Sequence, residues 1–114
     1  MEFKINYWEY MAALFYFEAK LKIGKEQKFL QFVNGPKGFA ITKAKPGFIS
    51  AEVGLSKDDA GQTTFHLWEK WKKMEDFENY GQDPERLPGA EFEKIFADCI
   101  DGAPRELFPE IMEV

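Results

Sequence analysis

The chain has 114 residues, the length of one domain, with 15 Lys and Arg against 20 Asp and Glu for a net charge of −5. Its lysines are scattered without forming a basic stripe, which argues against nucleic-acid and anionic-membrane partners. One cysteine allows no internal disulfide and no cysteine-based metal site. No apolar run approaches the roughly 20 residues that span a bilayer.

Residues 1–10 read as an aromatic-rich extension with Phe3, Ile5 and Tyr7 alternating. Glu2, Lys4 and Glu9 interrupt it, so it is not the apolar segment of a signal peptide, and a cytoplasmic protein is expected. Residues 11–114 then form a single domain. Met11 to Ile23 reads as a long strand, with Phe15, Phe17, Ala19, Leu21 and Ile23 on one face by alternation. Leu14, Tyr16, Glu18 and Lys20 take the other face. Gly24 stops the strand, and Lys25 to Val33 places Phe29, Leu30, Phe32 and Val33 on a helical stripe. Asn34-Gly35-Pro36 interrupts that helix, and a short helical piece follows through Phe39, Ala40 and Ile41.

Pro46-Gly47 marks a turn before a second strand, Phe48 to Ser56. Lys57 to Gly61 makes a hairpin loop, and Thr63 to Trp71 is the third strand. A helix over Lys72 to Tyr80 is expected to bury Met74 and Phe77, and one over Gly89 to Ile100 carries Phe92, Ile95, Phe96 and Cys99 at helical spacing. Arg105 to Val114 reads as a last strand, with Pro109 placing it at an edge or a bulge. The economical arrangement is α+β: a ferredoxin-like antiparallel sheet with helices on one face. The other face would carry Tyr16, His66, Trp68 and either Phe48 or Ile49, which is wrong for a solvated surface. Two protomers packed sheet to sheet would cover it, so a homodimer is expected.

His66 is the single histidine and a possible general base. No neighbouring carboxylate shares its strand face to orient the ring, which favours a polar residue of the dimer seam. Cys99 sits on an apolar helix face with Phe92 and Phe96, the setting of an inert core thiol. The Asp58-Asp59 and Asp98-Asp101 groups lack a calcium-loop pattern, so no metal is expected. Gly35-Pro36-Lys37-Gly38 follows a helix and lacks phosphate-loop spacing. What remains is an aromatic lining. The sheet offers Phe15, Phe17, Phe65, Leu67 and Trp71, and the helices offer Phe29, Phe77, Tyr80, Phe92 and Phe96. Such residues form either ordinary core or a slot for an apolar guest.

Several segments, in this order and spacing, carry a family resemblance. They are Gly24-Lys25-Glu26, Pro46-Gly47-Phe48, Glu69-Lys70-Trp71 and Asn79-Tyr80-Gly81-Gln82-Asp83-Pro84. From about Met11 to Val114 the chain resembles the antibiotic biosynthesis monooxygenases of the dimeric α+β barrel superfamily. The resemblance implies a ferredoxin-like protomer, a two-fold dimer with a barrel between the sheets, and a pocket between each sheet and its own helices. Members oxidise polycyclic phenols to quinones with oxygen and no cofactor, and another branch degrades haem. The strand-end tryptophan of the quinone-forming members is matched by Trp71. Their asparagine falls at Leu67, their helix tyrosine at Phe77 and their later arginine near Glu93. The haem-degrading members' asparagine aligns with Phe17, their pocket tryptophan with Tyr80, and their iron-ligating histidine near Phe96.

Hydrocarbon therefore stands where both chemistries place polar groups. The expected function is binding of a fatty-acid or acyl-like molecule without a cofactor, with Tyr80, the Trp71 N–H and Arg86 as polar handles at the mouth. The alternative is a cofactor-independent monooxygenase acting on an aromatic or polyketide-like substrate. A third reading is a structural dimer whose aromatics are all core.

Overall fold

A computed structural model describes residues 12–112. Strands β1 (Ala13–Lys20), β2 (Phe48–Lys57), β3 (Thr63–Trp71) and β4 (Arg105–Leu107) form one antiparallel sheet in the order β2-β3-β1-β4. Helices α1 (Glu26–Val33) and α2 (Phe39–Ala44) connect β1 to β2. Helix α3 (Met74–Tyr80), a 3-10 turn (Pro84–Arg86) and helix α4 (Glu91–Cys99) connect β3 to β4. This is the expected ferredoxin-like α+β layout.

Strict alternation fixes which side chains meet the helices. Ala13, Phe15, Phe17 and Ala19 are buried on β1, and Thr63, Phe65, Leu67, Glu69 and Trp71 are buried on β3. The antiparallel register sets Phe17 opposite Leu67, Phe15 opposite Glu69 and Ala13 opposite Trp71. Phe29 of α1 and Phe96 of α4 close over this face. Phe29 meets Phe65 edge-on at 5.0 Å and lies 5.0 Å from Phe96. Cys99 is fully buried beside them, and burial pushes its thiol pKa up, the state of a core residue.

The Pro46-Gly47 turn ties the start of β2 to the end of β3, with the Lys72 N–H donating to the Gly47 carbonyl at 2.8 Å. Gly47 has φ +86°, and a Cβ there would overlap the Asp76 carboxyl on α3. Glycine lets the turn and that helix touch.

Three expectations need correction. The first strand ends at Lys20, because Leu21 passes into a single bridge with Ile100 and the chain then turns at Gly24; Ile23 is 73% exposed. Met74 is 39% exposed, because α3 starts at that residue and seats itself through Phe77 instead. The last strand covers only Arg105–Leu107 at the sheet edge, where Pro109 lacks the N–H that further pairing would use. The reading of residues 1–10 as an extension lies outside the described residues.

The sheet's second face carries Tyr16, His66 and Trp68, with Trp68 41% exposed, and no element of the described chain covers it. Among the described residues no helix is long and apolar enough to cross a membrane.

Candidate functional site

Between the sheet and its helices lies a cavity of about 370 Å³. Phe15, Phe17, Phe65 and Leu67 of the sheet floor it, Phe77 and Tyr80 of α3 and Arg86 of the 3-10 turn flank it, and Phe92 and Phe96 of α4 close it. The remaining two sequence-predicted lining residues stand elsewhere. Phe29 and Trp71 are both fully buried behind the wall, where Phe29 packs core and Trp71 braces the site from beneath. Sequence reasoning omitted Phe32, Phe39 and Thr42 from the lining, along with Gly38, Glu69 and the rim residue Glu106.

Glu69 is the residue whose omission matters most. It lies between Leu67 and Trp71 on the inward stripe of β3 and is 2% exposed. Its Oε1 accepts the Trp71 indole N–H at 3.1 Å. Burial raises its pKa from 4.5 to about 7, against smaller lowering effects of the Trp71 hydrogen bond and the Arg86 charge. A carboxyl that titrates near neutrality inside an aromatic cavity can take a proton from a substrate and return it. The signal was present in the sequence: strand alternation puts a charged residue on an otherwise apolar face, and such residues are almost never buried without a reason.

A second polar group faces the cavity from α3. The Tyr80 hydroxyl accepts the Arg86 Nε–H at 2.7 Å and lies 2.9 Å from the Thr42 hydroxyl. Burial raises the Tyr80 pKa, and Arg86 and Thr42 oppose that rise. Arg86 is not a free handle at the mouth. Its Nη1 donates to the Lys37 and Glu85 carbonyls at 2.8 and 3.2 Å, and its Nη2 to the Gly38 carbonyl at 2.8 Å. Its guanidinium also lies 5.3 Å from the centroids of both Tyr80 and Phe92. It thereby staples the α1–α2 connection to the far wall. Lys45 pairs with Asp83 at 2.5 Å and Lys37 with Glu91 at 3.1 Å across the same seam.

His66 points away from the cavity. Its Nδ1 is 2.8 Å from the Tyr16 hydroxyl and its Nε2 is 2.8 Å from the Ser56 hydroxyl, both on the uncovered sheet face. It cannot act as a base for anything bound among the phenylalanines. Among the described residues no group of three or more His, Cys, Asp or Glu could hold a metal ion.

No family model matches the sequence, and no curated protein matches it. Solved structures do match the fold. A candidate monooxygenase from Fusobacterium nucleatum superposes with TM-score 0.72 at 13% identity, over 88% of this chain and 43% of that one, so the chain spans less than half of that protein's length. A candidate antibiotic biosynthesis monooxygenase from Nitrosomonas europaea gives 0.66 at 15% over 88% and 89%. SnoaB, a cofactor-independent oxygenase from Streptomyces nogalater, gives 0.65 at 12% over 91% and 96%. A dimeric protein of unknown function and ferredoxin-like fold from Bacteroides fragilis gives 0.66 at 15% over 88% and 96%. The chain therefore has the fold of the antibiotic biosynthesis monooxygenases, as its sequence segments imply.

Proposed function

We propose that the protein is a homodimeric, cofactor-independent oxygenase acting on a flat, weakly acidic aromatic substrate of the anthrone or naphthol kind. The observation that carries this reading is Glu69, a buried carboxyl with a pKa of about 7 in the wall of an aromatic cavity. The structural likeness to SnoaB supports the same class of chemistry. Leu67 and Phe77 stand where the quinone-forming enzymes have polar groups, and Glu69 supplies the base that those positions lack.

For an anthrone-like substrate, the Glu69 carboxylate takes a proton from the ring CH₂, and the charge delocalises onto the carbonyl oxygen. Thr42 can donate to the Tyr80 oxygen alongside Arg86, which leaves the Tyr80 proton for that oxyanion. The substrate anion passes one electron to O₂ and the two radicals combine to form the C–O bond. The peroxide takes the proton back from Glu69. Loss of water with the second C–H proton then leaves C=O, so that CH₂ and O₂ become C=O and H₂O.

Dimerisation is part of the proposal because a partner would cover the aromatic sheet face around Trp68. Residence in the cytoplasm is another part, supported by the buried unpaired Cys99.

An oxygen-electrode assay with anthrone and naphthols tests the chemistry. One O₂ consumed per quinone formed is expected, rising through pH 7, with Glu69→Gln slower by about 10²-fold or more. Uptake no faster than in buffer across those substrates would overturn it. The near-continuous phenylalanine lining favours a second reading, binding of a fatty-acid or acyl-like guest without turnover. Native mass spectrometry of freshly purified protein would then show a co-purifying lipophile, and a repeatedly empty protein would argue against it.

A further inference from the structure

We propose that Trp71 is the positioning residue of this cavity: its indole N–H holds the Glu69 carboxyl in place. The inference rests on reading Glu69 as the base and adds what aims that base and tempers the effect of its burial.

A buried carboxylate near a guanidinium ordinarily closes into a bidentate pair, which neutralises both. Here that pair does not form: among the described residues no ion pair joins Glu69 to Arg86. Arg86 donates to the Tyr80 oxygen and to three backbone carbonyls, while Glu69 takes its hydrogen bond from Trp71. Each group is engaged by a different partner. Trp71 stacks on Tyr80 at 5.1 Å with 22° between planes, and Arg86 binds the Tyr80 hydroxyl.

The indole has no freedom to turn. It is fully buried, edge-on to Phe48 at 5.5 Å and to Phe77 at 6.1 Å. Glu69 and Trp71 are two residues apart on one strand, so their side chains share the inward face and the N–H reaches the carboxyl without distortion.

Few other charges bear on Glu69. Arg86 from the 3-10 turn, Tyr80 from α3 and Glu106 from β4 are the other ionisable groups in the wall. Helices α1, α2 and α4 contribute Phe, Val and Thr side chains there, and the cross-strand neighbours of Glu69 are Phe15 on β1 and Ala51 on β2. A change at Trp71 is thus read against a quiet background.

The test removes the donor and keeps the ring. Trp71→Phe does so simply. Replacement by 3-benzothienylalanine, with sulfur in place of N–H, keeps the full bicyclic shape should the phenylalanine variant fold poorly. The titration of Glu69 is read without any assay of turnover, as the difference in urea midpoint against pH between each variant and the same variant carrying Glu69→Gln. Loss of a hydrogen bond to the ionised form should move that titration alkaline by about one pH unit. The pH–rate profile should move with it while KM stays within about twofold. A titration that stays in place, or moves acid, overturns the positioning role. A titration that moves alkaline while neither protein consumes oxygen upholds the positioning and overturns the reading of Glu69 as a base.

Discussion

Phe15 on β1 and Glu69 on β3 are direct cross-strand partners, so a carboxyl group shares its rung of the ladder with a phenyl ring beneath the helices. With the residue only 2% exposed, burial of the carboxyl beside that ring raises its pKa.

The raised pKa predicts an unusual pH dependence of stability. Native Glu69 titrates at about 7 and the unfolded residue near 4.5, so between those values the native state holds a proton that the unfolded chain has released. The contribution is fully present below pH 4.5 and is lost as pH rises through 7, about 3 kcal/mol across the window. Glu69→Gln should abolish this dependence. Urea unfolding of both proteins from pH 4.5 to 8.5 should show their stabilities diverging as pH rises, the variant becoming the more stable. Parallel curves would contradict the desolvated carboxyl.

Arg86 predicts a structural effect larger than its surface position suggests. Arg86→Met leaves the Lys37 and Gly38 carbonyls without this donor and the Tyr80 hydroxyl with Thr42 as its remaining partner. The expected loss is about 2–4 kcal/mol of unfolding free energy. Arg86 also lowers the Tyr80 pKa, so the variant's Tyr80 should ionise at higher pH. Tyrosinate absorbance during alkaline titration, compared with a Tyr80→Phe control, reads that change directly.

Alternation alone made the sheet legible. It placed Phe15, Phe17, Phe65, Leu67 and Trp71 on one face, and β3 begins and ends where the pattern does. Local patterning failed where tertiary contacts decide. Ile23 continues the apolar alternation, yet the chain has already turned away, and nothing in the spacing of Met74 shows that its helix is seated through Phe77. The site was half legible for a related reason. Aromatic residues declare themselves by type, whereas the importance of Glu69 comes from a burial that the helices impose. Trp71 looked like lining because it ends the strand, but Phe48, Phe77 and Tyr80 enclose it completely.

The uncovered face predicts how to break a dimer. Trp68 is held against Tyr16 at 5.2 Å and stacked on His66 at 5.9 Å, presenting a flat apolar surface outward. Trp68→Asp would place an unpaired charge in the centre of a sheet-to-sheet contact. Light scattering at micromolar concentration should show one protomer's mass for the variant and twice that for the parent. An unchanged mass in a folded variant would place the interface elsewhere.

Phe29 and Phe92 separate core from cavity wall. Phe29 is fully buried outside the cavity, so Phe29→Ala should leave an unfilled void and cost about 3–5 kcal/mol. Phe92 is half-buried, lines the cavity, and has its ring 4.5 Å from Phe96 and 5.3 Å from the Arg86 guanidinium. Its truncation opens space already continuous with the cavity, so Phe92→Ala should cost about 1–2 kcal/mol, below the range for fully buried core phenylalanines. Anthrone binding, followed by quenching of tryptophan fluorescence, should weaken by about tenfold in the Phe92 variant, whose ring would otherwise pack on the guest. Equal destabilisation by the two substitutions, with anthrone binding unchanged in the Phe92 variant, would mean that the aromatic cluster is continuous core and that no guest is held there.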